Sequence, residues 1–195
     1  MSMVQAPFRR ATIKDASTLA HFVELASEGL ALYLWTKLAG AEHDPWHIGR
    51  KRVSSETGGL SYHNAVIAEF AGRSASGLIS YPLADKSEPI LDNLPAVLIP
   101  LHELMNLALD TWYIHVLAAY PECRGKGQGS ALLALADRFA TSTRKPGLSL
   151  IVSDTNIGAR RLYESCGYDE VAQRKMVKEE WQHPGVNWVL LRKRL

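Results

Sequence analysis

Arg124-Gly125-Lys126-Gly127-Gln128-Gly129-Ser130 is the stretch on which the reading of this 195-residue chain turns. Ahead of it, Thr111 to Ala118 carries Trp112, Tyr113, Ile114 and Val116 in close succession and predicts a strand. Behind it, Ser130 to Ala140 has the apolar spacing of a helix. Three alternating glycines at a strand-to-helix corner let successive backbone N–H groups point into one concavity. The helix beginning near Ser130 adds its positive end, and Arg124 and Lys126 add charge. The stretch therefore predicts a site for a diphosphate. It is not a P-loop, because Gly127 follows Lys126 where Ser or Thr is needed. Nor does it have the Rossmann spacing, whose third glycine would fall on Ser130 or Leu132.

Working outward, the remaining chain alternates helical and strand patterns. Phe8 to Thr12 predicts a short strand, and Asp15 or Ser17 an N-cap for a helix with Leu19, Phe22, Val23 and Leu25 on one face. Helical regions follow over Gly29 to Leu38 and Pro45 to Glu56. Ala65 to Phe70 and Ser76 to Leu83 predict strands around a turn at Gly72. A long connection, Ala84 to Pro100, leads to a helix over Leu101 to Leu109. Leu148 to Val152 has the continuous apolar character of a strand buried on both faces. Asn156 to Ser165 predicts a helix closed by Gly167 in a left-handed cap. Tyr168 to Val177 and Val186 to Leu191 end the chain as strands. The order predicts one mixed α/β (α+β) domain over residues 1–195, with a crossover in its second half.

Composition narrows the function classes. Hydrophobic residues make up 47% of the chain, the level of a globular protein and not of a disordered one. Val97 to Leu109 is the richest apolar stretch, and Pro100, His102, Glu103 and Asn106 interrupt it, so no membrane span is expected. Two cysteines, Cys123 and Cys166, predict neither a disulfide framework nor a zinc site, and no metal is expected. The N-terminus lacks an apolar signal core, so a cytoplasmic protein is expected. A net charge of +2 does not point to nucleic acid. From Thr111 onward, 13 Lys and Arg stand against 8 Asp and Glu, whereas the earlier part has 9 against 12. That asymmetry suits an anionic ligand on the C-terminal part and a cationic one near the N-terminal part.

Arg124-x-x-Gly127-x-Gly129 between strand and helix resembles the pyrophosphate motif of the GCN5-related N-acetyltransferase (GNAT) superfamily. Leu117-Ala118-Ala119-Tyr120-Pro121 is similar to the end of that family's fourth strand. Asn156-x-x-Ala159-x-x-x-Tyr163 followed by Glu164-x-x-Gly167-Tyr168 resembles its second signature. The likeness covers about residues 111 to 170 closely and Arg9 to Ala26 more loosely. Residues 29 to 60 and 84 to 110 match nothing assignable. The resemblance implies a mixed sheet of six to seven strands, splayed between the fourth and fifth and flanked by helices. It also implies acetyl-CoA as co-substrate and transfer of its acetyl group to a primary amine by direct attack.

The resemblance further implies roles for single residues. Arg124, Gly125, Lys126, Gly127, Gln128, Gly129 and Ser130 would hold the diphosphate. The backbone of Leu117, Ala118 and Ala119 would pair with the pantetheine arm like an added strand, with an amide near Leu117 meeting the oxyanion. Asn156, Ala159 and Tyr163, spaced i, i+3, i+7, would share a helix face. Asn156 would bond the pantetheine amide, small Ala159 would let it approach, and Tyr163 would protonate the leaving sulfur. His115 lies two residues before Leu117 on the same strand face, and its ordinary pKa suits a base. Glu103, Asp110 or a water are its rivals. Cys123 is read as a bystander. Arg160 and Arg161 belong either to a 3′-phosphate contact or to a solvated face.

Acidic residues Glu28, Glu42, Asp44, Glu56, Asp85, Glu88, Asp92 and Glu103 favour a cationic acceptor, read as a small-molecule amine. A protein N-terminus or lysine, or a non-catalytic acyl-CoA-binding regulatory role, is the alternative. Trp35, Trp46, Trp112, Trp181 and Trp188 read as packing residues. A homodimer is a further expectation from the resemblance.

Overall fold

A computed structural model describes residues 4–41 and 43–195 of the protein. Glu42 lies outside the described residues. The elements are β1 (Phe8–Arg10), α1 (Ala16–Ser27), α2 (Leu30–Ala39), α3 (Pro45–Val53), β2 (Ala65–Phe70), β3 (Arg73–Pro82) and α4 (Ile99–Asn106). They continue with β4 (Trp112–Ala119), α5 (Gln128–Ser142), β5 (Gly147–Ser153), α6 (Ile157–Ser165), β6 (Asp169–Lys175) and β7 (Asn187–Arg194). Seven strands run in the order β1-β2-β3-β4-β5-β7-β6. The β4–β5 pair is parallel, while β1–β2, β2–β3, β5–β7 and β6–β7 are antiparallel. The expected mixed sheet with flanking helices is therefore present.

The chain resolves into two compact units. The first runs through Tyr81 and adds His115–Leu135. Its core joins Leu19, Phe22 and Val23 of α1 to Trp35 of α2, Val53 of α3, Ile67 of β2, Ile79 of β3, and Val116 and Ala118 of β4. The α1 side chains at 19, 22 and 23 share a stripe because helical spacing brings i, i+3 and i+4 together. Phe22 closes on β3 where Gly77 leaves it room: a Cβ at Gly77 would meet the Phe22 ring. The β2–β3 hairpin turns through Ala71 and Gly72, both at positive φ (51° and 74°), the pairing a two-residue hairpin turn requires. Ser27 Oγ and Glu24 Oε2 accept the first-turn amides of Ala31 (3.0 Å) and Leu32 (2.8 Å), so α1 caps α2. Desolvation raises the Glu24 pKa above the ordinary carboxylate range.

The second unit comprises Pro82–Ile114 and Ala136–Leu195. Its β4–β5 ladder pairs Trp112–Ile114 with Leu148–Leu150, and β5 is buried along nearly its whole length, as its apolar run predicts. Thr111 Oγ1 donates to Ala108 O and lies 2.6 Å from Ser149 Oγ, which satisfies both buried hydroxyls. The indole of Trp112 packs on Phe139 and that of Trp181 stacks on Trp188, in line with the packing roles read for the tryptophans. Among the described residues no helix is long and apolar enough to cross a membrane.

Candidate active site

The glycine corner takes its shape from two left-handed residues. Arg124 is extended (φ −70°, ψ 162°), and Gly125 and Gly127 follow at φ +73° and +75°. A side chain at either φ is strained, because Cβ crowds the following carbonyl. A Cβ built on Gly125 or Gly127 would meet no heavy atom within 4 Å, so the space in front of the corner is open. Helix α5 starts at Gln128, not near Ser130. The Gly127 carbonyl accepts the Ala131 amide at 3.1 Å and so makes the first helical bond. Gln128, Gly129 and Ser130 thus form the first turn. Their amides have no acceptor within the helix and stand at its positive end. The donors expected of a loop are helix-end donors, which suits an anion equally well.

The two cations of the stretch are engaged locally. Arg124 Nε donates to the Ala119 carbonyl at 3.3 Å, tying the corner to the end of β4. Lys126 Nζ sits 4.7 Å over the Phe70 ring. Phe70, Arg73, Ser74, Cys123 and Lys126 line a groove of ≈ 410 Å³ beside the corner. Cys123 and Cys166 are both free thiols.

Along β4, burial alternates: Ile114, Val116 and Ala118 are buried, while His115, Leu117 and Ala119 are on the more accessible face. The shared face expected for His115 and Leu117 is therefore present. His115 Nδ1 lies 3.1 Å from the Tyr81 hydroxyl. His115 is an exposed residue of β4, yet the protein packed around its ring disfavours the charged form and lowers its pKa to about 4. This corrects the expectation of an ordinary histidine pKa. The rival carboxylates are paired elsewhere. Glu103 takes Arg174 Nε at 2.7 Å, and Asp110 takes Lys145 Nζ at 2.7 Å.

In the second unit, Asn156 is the N-cap of α6 and not a member of it. Its side-chain oxygen accepts the Ala159 amide at 3.1 Å. Only Ala159 and Tyr163, four residues apart, then share a helix face. The Tyr163 ring is 7% exposed and packs against Tyr168, with centroids 5.9 Å apart. Helix α6 ends as predicted: Gly167 has φ +86°, its amide donates to Glu164 O, and the Tyr168 amide donates to Tyr163 O. Those two bonds form a Schellman cap, which anchors the Tyr163 backbone from behind. Arg160 pairs with Glu170 at 2.9 Å. Of the acidic acceptor candidates, Asp44 pairs with Arg50 and Glu56 with His63.

Residues 83–168 match the family model described as acetyltransferase (GNAT) family. Over that stretch, less than half of its length, the chain is similar to the GNAT acetyltransferases. The matched stretch contains His115, the glycine corner, Asn156, Ala159 and Tyr163. A mycothiol acetyltransferase of Acidothermus cellulolyticus is 40% identical over 55 residues, 28% of this chain and 17% of that protein, a small part of its length. An acetyltransferase of known structure is 22% identical with a TM-score of 0.65, covering 96% of this chain and 98% of its own. A GNAT family acetyltransferase from Elizabethkingia anophelis, solved with acetyl-CoA bound, is 16% identical with a TM-score of 0.50, covering 67% and 75%. At these identities the structural matches speak for the GNAT fold. Two features went unread in the sequence, Tyr81 as the partner of His115 and Glu24 as a cap; both are contacts between distant elements with no local signal.

Proposed function

We propose that the protein is an N-acetyltransferase that moves the acetyl group of acetyl-CoA to a primary amine of a small molecule. The observation that carries this reading is the corner of left-handed Gly125 and Gly127 leading into the open amides of Gln128, Gly129 and Ser130. Three orphan N–H groups at a helix end suit a diphosphate without any metal-binding side chain. The family match and the acetyl-CoA-bound relative support coenzyme A as the owner of that diphosphate. The relative named mycothiol acetyltransferase favours a small-molecule acceptor over a protein.

In this reading the corner, with Arg124 and Lys126 nearby, holds the diphosphate, and the backbone of Leu117, Ala118 and Ala119 holds the pantetheine arm. Acetyl-CoA supplies the thioester carbonyl. The amine lone pair forms the new C–N bond as the C–S bond breaks. An amide near Leu117 meets the carbonyl oxygen as its charge grows. His115 Nε2 takes the amine proton. Tyr163 gives its proton to the departing sulfur, and solvent restores both side chains. Asn156 reaches this chemistry by capping the helix that carries Tyr163. The ion pairs of Glu103 and Asp110 favour His115 over them as base.

The test is a thiol-release assay with acetyl-CoA over an amine library, run beside calorimetry with coenzyme A. Turnover with small amines is expected. Binding without turnover on any amine or peptide would point to a regulatory module, and no binding would remove the reading.

A further inference from the structure

Tyr81 and His115 stand on neighbouring strands, β3 and β4, within the first unit. Their hydroxyl and Nδ1 are 3.1 Å apart, and the rings meet edge-on at 61° with centroids 5.8 Å apart. Tyr81 can occupy that place because residue 59 is glycine. A Cβ at Gly59 would lie 2.6 Å from both Cζ and Oη of Tyr81. Gly59 is itself held. Asn64 Nδ2 donates to the carbonyls of Gly58 (3.0 Å) and Gly59 (3.3 Å), and the Ser61 amide donates to Gly58 (3.1 Å). The phenol is thus braced by a pinned backbone on one side and touches the imidazole on the other.

Resting on the assignment of His115 as base, we propose that Tyr81 is its positioning residue: the phenol oxygen accepts Nδ1–H and so fixes the tautomer whose Nε2 carries no hydrogen. An imidazole has two neutral tautomers, and only the one with hydrogen on Nδ1 leaves Nε2 able to take a proton. A phenol oxygen can accept as well as donate. Once Nε2 has taken the amine proton, both ring nitrogens carry hydrogen and Nδ1–H still needs an acceptor. Tyr81 Oη meets that need before and after transfer, so the ring need not turn.

The experiment joins nitrogen NMR of the full chain with kinetics. In the unsubstituted protein, the His115 nitrogen shifts are expected to show hydrogen on Nδ1 and none on Nε2. Tyr81→Phe should abolish that preference. Its kcat should fall about ten- to a hundredfold, the range for a lost hydrogen bond to a group becoming charged, with KM for acetyl-CoA unchanged. On a His115→Gln background the same substitution should cost nothing further. Gly59→Ala, which keeps the phenol but crowds its ring, should disturb the tautomer in the same direction and serves if Tyr81→Phe does not fold. Hydrogen on Nε2 in the unsubstituted protein, or an equal loss on the His115→Gln background, would overturn the proposal. An enzyme that turns over no amine would refute acetyl transfer instead, and the nitrogen shifts would still decide the pairing.

Discussion

The Asn156 side-chain oxygen accepts the Ala159 amide at 3.1 Å, and this bond starts the helix that carries Tyr163. At its other end, α6 closes through the left-handed Gly167, with the Tyr168 amide on the Tyr163 carbonyl. Tyr163 is thus held between a side-chain cap and a backbone cap, on a helix of nine residues. A helix that short has little stability of its own, so its ends decide how well the phenol is placed.

Asn156→Ala should therefore cost about 1 kcal/mol of stability, the usual cost of a lost N-cap. It should also lower kcat, because Tyr163 loses its frame. Asn156→Asp, which keeps an acceptor at the same place, should restore most of both. Thermal melts and thiol-release kinetics on the two variants check this. An Asp variant as slow as the Ala variant would show that the amide group of Asn156 has work beyond the cap.

Gly127→Val should abolish binding of coenzyme A measured by calorimetry. The substitution puts a β-branched side chain at a φ of +75° and into the open space before the α5 amides. Strain at such a φ is about 1–2 kcal/mol, so the fold should survive while the anion site closes. Lys126→Ala should weaken binding far less, since that ammonium sits over Phe70. Unchanged affinity in Gly127→Val would remove the corner from the binding site.

Tyr163→Phe should reduce kcat at least tenfold and leave affinity for coenzyme A near its original value, because it deletes a proton donor and keeps the ring. Its melting temperature should change little, since the ring contact with Tyr168 remains. Equal turnover in the Phe variant would end the acid role.

Much of this was legible in the chain itself, for physical reasons that also mark the limit. The bounds of β2 and the Gly167 cap were readable because each depends on neighbours in sequence. The start of α5 was misplaced by two residues for a local reason too: Ser130 is a favoured N-cap type, yet the Gly127 carbonyl takes the Ala131 amide first. The left-handed Gly127 makes that earlier start possible. The same competition moved Asn156 from the helix face to the cap. Contacts between distant elements left no such trace. Tyr81 and His115 are 34 positions apart, and Glu103 and Arg174 are 71 apart. A carboxylate or histidine in a list of candidates looks the same whether or not a partner waits on another strand. Composition pointed to an acidic acceptor region, but Asp44, Glu56 and Glu103 each found a basic partner of their own.

The pH dependence of His115 supplies the last test. Its pKa in the folded protein is lowered to about 4 by desolvation, below its ordinary value of 6.5. Between those values the unfolded chain binds the proton and the folded chain does not. Stability therefore rises with pH through that window and falls as the solution is acidified from 6.5 toward 4. His115→Gln has no such proton to bind, so its melting temperature should vary less across the same range. In turnover, His115 is neutral throughout the physiological range, and its own protonation should enter the rate only near pH 4. An acidic limb well above that value would belong to the amine substrate and should persist in His115→Gln at a lower rate. Parallel melting curves for the two proteins from pH 4 to 7 would contradict the lowered pKa.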